Sequence, residues 1–205
     1  AISILKKIAA VETGNTDGSI VLPEEKRFSR QVSRQKPFGL RTYFRGDAAP
    51  KRRDDVKVLQ SRGESWARRS AITDSVEHID RWKVFTSKSS SEHAGQADRD
   101  GRRRVLSKSG VLPPGTVVTE TYVLLGSFDT EQEARNCFSY VTTRLFRFLV
   151  VLRSSAQDIS RSAYGFVPIQ DFAEPWSDEK LYAKYSLTDA EIAFVESLIR
   201  PWTLD

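Results

Sequence analysis

The sequence predicts an α+β fold: a mixed or antiparallel sheet, a packed central helix and a short helical C-terminal tail. Three observations carry this. Short β-branched and aromatic runs are separated by turn signals, one long apolar stripe recurs at three- and four-residue spacing, and capping boxes occur at Thr130/Glu133 and Thr188/Glu191. No regular βαβ rhythm, internal repeat or heptad register accompanies them.

Taken in order, Ile2 to Val11 reads as a short helix or strand, and Asn15 to Gly18 as a turn. Ile20 to Leu22 is a short strand candidate ending at Pro23, and Phe28 to Val32 a helix end or a strand. Lys36-Pro37-Phe38-Gly39 breaks regular structure, because proline restricts the residue before it and glycine allows unusual backbone angles. Val56–Leu59 and Ile79–Phe85 are strand candidates. Residues 87–112 are polar, rich in Ser, Gly and Arg, and predict a long mobile loop closed by Pro113-Pro114-Gly115. Thr116–Leu125 is the best strand candidate. Thr130 then opens one helix whose stripe runs Ala134, Cys137, Phe138, Val141, Leu145, Leu149. Cys137 falls on the stripe, as a core thiol; Arg135, Arg144 and Arg147 fall off it, toward solvent or a partner. Tyr164–Ile169 is a further strand candidate. Helices start at Ser177 and Thr188, and Pro201 stops the second.

The 205 residues suit one domain with a small appendage and can bury a core without metal or disulfide staples. A single cysteine excludes an internal disulfide framework and a CxxC metal site, which fits a cytoplasmic setting. No apolar run approaches the roughly 20 residues that span a bilayer. A chain starting at Ala1 without methionine reads as a fragment of something longer.

Charge is polarised. Lys26 to Arg53 holds ten bases and one acid, Asp47, interleaved with Phe38, Tyr43 and Phe44, whereas Gln170 to Asp205 holds eight acids and three bases. A basic, aromatic-bearing stretch is the electrostatic footprint of a polyanion binder, or else a solvated loop. With His78 and His93 as the only histidines, a histidine-dependent triad or nuclease has little to work with. No glycine-rich phosphate loop, cofactor motif or Asn/Asp-Pro-Pro-aromatic tetrad is present. Asp55-Val56-Lys57 and Asp178-Glu179-Lys180 have the acid-x-Lys spacing of carboxylate metal nucleases. The first lies beside a strand candidate and gives an alternative reading, a metal-dependent DNA endonuclease fragment. A weaker one is a docking module whose basic stretch meets an acidic partner.

Five stretches in order, Val32–Phe44, Ile79–Val84, Thr119–Gly126, Arg147–Leu149 and Phe166–Phe172, with the closing Trp176–Tyr185 and Glu196–Pro201, resemble one known region. It is the C-terminal region of adenine-specific DNA methyltransferases of bacterial restriction–modification systems, including fused enzymes called restriction endonucleases. There it follows the catalytic domain and is taken as the target recognition domain. The resemblance implies double-stranded DNA and the catalytic methyltransferase domain of the same chain as partners, with no membrane. It implies no catalytic residue or cofactor here, and S-adenosylmethionine, with Mg²⁺ if it also cuts, in the intact enzyme. Residues 1–170 would form the recognition domain and 171–205 a helical extension packed on it or on the catalytic domain. Arg30, Arg34, Lys36, Arg52 and Arg53 suit phosphates. Arg41 and Arg45, flanking Thr42, Tyr43 and Phe44, suit base edges. Lys83 and Lys88 follow Trp82 and would add contacts. Trp82, Phe166 and Trp176 read as core.

Overall fold

A computed structural model of the chain describes residues 1–90, 97, 99–154 and 159–203. His93 and part of the polar 87–112 stretch lie outside them. The class is α+β. Five α-helices are described, α1 (Ile2–Thr13), α2 (Glu131–Val141), α3 (Arg144–Arg153), α4 (Asp178–Lys184) and α5 (Asp189–Leu198). The strands are β1 (Val56–Gln60), β2 (Gly63–Ala67), β3 (Trp82–Ser87), β4 (Ser109–Leu112), β5 (Thr116–Val118) and β6 (Tyr122–Phe128).

The strands form two three-stranded sheets. In β2-β1-β5 the hairpin is antiparallel and β5 runs parallel to β1; β4-β3-β6 is antiparallel throughout, with an irregularity between Val84 and Phe85. Successive strand residues face opposite ways, and here both faces are covered. Val84, Val123 and Leu125 join the larger core with the helices, while Phe85, Leu112, Tyr122 and Leu124 join a smaller core with Val56, Val58 and Val117 of the other sheet. The apolar run Tyr122–Leu125 is thus a strand buried on both sides, between a helical layer and a second sheet.

The best strand candidate is two strands. Its Thr119–Thr121 middle turns, with Tyr122 N donating to Thr119 O, and carries the chain from one sheet to the other. Tyr164–Ile169, a strand candidate, instead begins inside a 3-10 turn, Arg161–Phe166. Ile20–Leu22 forms no strand, and Ile2–Val11 is helical. Nor is the polar stretch loop throughout: Val105 and Leu106 are core residues and β4 pairs with β3.

The long helix breaks in two. Thr143 is extended and its Oγ1 accepts from Phe146 N, starting α3 afresh. Arg147, expected to face solvent or a partner, is fully buried. Its Nε donates to Thr142 O and Thr143 O at the end of α2, Nη1 to Arg104 O and Nη2 to Arg200 O. The break leaves carbonyls that need donors, and the guanidinium supplies them.

Both capping boxes form as their spacing predicts. Thr130→Ala removes the side-chain acceptor of Glu133 N and should cost about 1 kcal/mol in a urea melt, with Thr130→Ser retaining most of it. In the tail, Leu181, Tyr182, Tyr185, Val195 and Ile199 share one core with α1 to α3. Several tail acids pair inside the chain: Glu191 with Lys7 at 2.6 Å, Glu196 with Arg144 at 2.6 Å, and Asp178 Oδ1 accepting from Leu145 N.

Candidate nucleic-acid interface

In β4-β3-β6, β6 has one edge without a strand partner. The basic stretch covers it. Ser33 N donates to Leu124 O (2.8 Å), Leu124 N to Ser33 Oγ (2.9 Å), and Glu120 N to Leu40 O (2.9 Å). Between these anchors residues 34–39 arch outward. Gly39 closes the arch at φ 77°, and a Cβ there would collide with Thr73 Oγ1. Phe38 and Leu40 are buried in the smaller core, so the arch is held by its apolar end and offers its polar end outward.

Beneath the arch opens a cleft of about 640 Å³, lined among others by Arg30, Arg34, Lys36, Arg161, His78 and Asp74. Arg30 and Arg34 are exposed and Lys36 half-exposed. None of the three forms an ion pair among the described residues. Arg161 arrives from the 3-10 turn and is fixed by its Nε donating to Ser29 O at 2.7 Å. Two residues on the wall hold left-handed backbone, Lys36 at φ 59° and Ser75 at φ 50°. Burial lowers the His78 imidazole below its ordinary range, so it is neutral near pH 7.

Just past the arch, Arg41 Nη1 lies 3.7 Å from Glu120, and Thr42 donates to the same carboxylate through N (3.0 Å) and Oγ1 (3.3 Å). The Thr42 amide, ahead of the Arg41 charge, holds Glu120 below the usual carboxylate range. Tyr43 at the tip is 79% exposed. Arg45 lines a shallow depression with Trp66 and Arg68. Arg52 and Arg53 are exposed on a turn stapled by Asp55 Oδ2, which accepts from Lys51 N and Arg52 N.

Arg30, Arg34 and Lys36 therefore meet at one concavity, and Arg41 to Arg45 continue the same stretch. Lys83 does not belong with them. It lies on the central strand β3 and is fully buried, its ammonium donating to His78 O (3.0 Å), Ile79 O (2.9 Å) and Arg81 O (2.5 Å), so it is out of reach of a surface ligand. Lys88 is half-buried, with its backbone tied to Thr121 and Ile159. Arg161 was not among the sequence candidates; a lone arginine on an irregular segment carries no pattern to find it by.

The alternative nuclease pair is occupied otherwise. Asp55 staples the turn, while Lys57 pairs with Glu64 at 2.8 Å and lies 5.9 Å from the Trp66 ring centroid. Among the described residues no group of three or more His, Cys, Asp and Glu is placed to hold a metal, and no helix is long and apolar enough to cross a membrane. Cys137 is buried and its thiol is pushed up by that burial, toward the inert protonated form.

No protein family, curated protein or solved structure matches this chain.

Proposed function

We propose that this chain is a sequence-reading DNA module of a restriction–modification adenine methyltransferase or endonuclease, with catalysis residing in a separate domain. The observation that carries the reading is the convergence of Arg30, Arg34 and Lys36, all without ion partners among the described residues, on one cleft beside the exposed Arg41–Arg45 turn. Cations without ion-pair partners set in a concave wall favour a polyanion, because each phosphate contact releases condensed counterions. Tyr43 supplies an exposed ring on the turn between Arg41 and Arg45, a surface suited to base edges or faces. The ordered stretches resembling methyltransferase recognition regions point the same way. On this reading the intact enzyme uses S-adenosylmethionine bound elsewhere.

The test is binding of the chain to a labelled duplex at several salt concentrations. If the five cations Arg30, Arg34, Lys36, Arg52 and Arg53 meet phosphates, the slope of log affinity against log salt is about −4.5, and Arg52→Ala with Arg53→Ala flattens it by about 2. A slope near zero, or equal displacement by polyglutamate and by unlabelled duplex, defeats the proposal.

A further inference from the structure

We infer that the cleft under the 34–39 arch is a discrete binding site for a phosphate group, completed by Arg161 and by backbone amides of the arch. It deepens the reading above, and rests on that reading only for the source of the phosphate.

The cations come from two distant parts of the chain. Arg30, Arg34 and Lys36 lie on the basic stretch, and Arg161 on the 3-10 turn after α3. Arg161 keeps one guanidinium nitrogen, Nη1, uncommitted, while Nε and Nη2 hold the carbonyls of Ser29 and Arg30. The group is therefore positioned before any ligand arrives, which reduces the ordering cost of binding. Guanidinium forks match phosphate oxygens bidentately.

The backbone adds a second, independent feature. The amides of Arg34, Gln35 and Lys36 donate to no group among the described residues, whereas those of Ser33 and Gly39 on either side are bonded. Lys36 holds left-handed backbone at φ 59°. Successive unbonded amides at a left-handed turn form an anion-binding concavity. Asp74 is the one carboxylate among the described residues on the wall, and its Oδ2 accepts from Thr73 Oγ1. His78 adds a neutral imidazole. At about 640 Å³ the cleft is larger than one phosphate and accepts the attached sugar as well, either of a nucleic-acid strand or of a free nucleotide.

The experiment titrates the whole chain with pyrophosphate by calorimetry and follows backbone amides by NMR. One saturable site is expected, with the amide signals of Arg34, Gln35 and Lys36 shifting most. Arg34→Ala, which removes a side chain with no partner in the described fold, and Arg161→Ala should each weaken binding about tenfold. Arg135→Ala, on α2 outside the cleft and paired with Glu131, should leave it unchanged. Non-saturating binding, equal losses in all three variants, or unmoved arch amides overturn the inference. A second arm separates it from the broader proposal. If the duplex binds with a steep salt slope but pyrophosphate does not displace it and Arg161→Ala has no effect, the phosphate site falls and the DNA reading stands. If pyrophosphate saturates the cleft and no duplex binds, the site stands, its phosphate comes from a free nucleotide, and the DNA reading falls.

Discussion

Arg147→Ala should lower the unfolding free energy by about 3–5 kcal/mol, the range for removing one partner from a buried charged network. The side chain is fully buried, and its guanidinium bridges three segments: the end of α2 through Thr142 O and Thr143 O, the Arg104 carbonyl, and the Arg200 carbonyl. Its ring of contacts also places it 5.4 Å from the Trp202 ring centroid. Truncation strands these carbonyls and opens a cavity beneath Trp202. Arg147→Leu would refill much of the volume but restore no donor, so it should recover only a minor part of the loss. Urea unfolding gives the magnitude. Hydrogen exchange gives the location: the amides of Arg103 and Arg200, which bond Leu198 O and Arg103 O, should lose protection first. A loss below about 1 kcal/mol would mean that the carbonyls find water and the guanidinium is dispensable.

The second large effect is a rise in stability with pH. Burial lowers the Lys83 ammonium from 10.5 to about 8, against a smaller opposing pull from Asp80. Below about pH 8 folded and unfolded chains both carry this proton, so the burial cost is present in full. Between about 8 and 10.5 the unfolded chain holds more protons than the folded one, so stability increases with pH across that window. The gain from this one group is about 3 kcal/mol. Lys83→Met keeps similar volume and cannot titrate. The difference between the parent and Lys83→Met unfolding free energies should be flat below about pH 8 and climb above it. A flat difference throughout would show that the carbonyls around the ammonium, those of His78, Ile79, Arg81 and Pro113, outweigh its desolvation.

These two residues also mark where local sequence pattern stops being informative. The tail helices and both capping boxes follow from short-range spacing, and the α+β class from the alternation of short strands with one strong stripe. Arg147 lies off that stripe, yet the stripe is interrupted: Thr143 starts a new helix, and the rotation it introduces turns Arg147 inward. Thr116–Leu125 reads as one strand because both of its halves are apolar on both faces, which conceals the turn at Thr119–Thr121. β2, Gly63–Ala67, has little apolar alternation and is a strand because β1 pairs with it.

At the candidate site the basic stretch was legible as a whole, but the fate of each cation was not. Lys83 is internal because its strand is central. Arg41 meets Glu120, seventy-nine positions away, while Arg34 meets no acid. Such pairings arise only when β6 and the basic stretch come together. Arg161 entered the cleft by the same route, through the carbonyls of Ser29 and Arg30.

The arch is pinned at Ser33 to Leu124 of β6 and at Leu40 to Glu120 in the turn that precedes that strand. An insertion or deletion between the pins would drag Phe38 and Leu40 out of register with the core they fill, whereas exchanges at the exposed Arg34 and Gln35 disturb no packing. Variants of this protein should therefore diversify here by swapping residue identities at constant loop length, without rebuilding the scaffold.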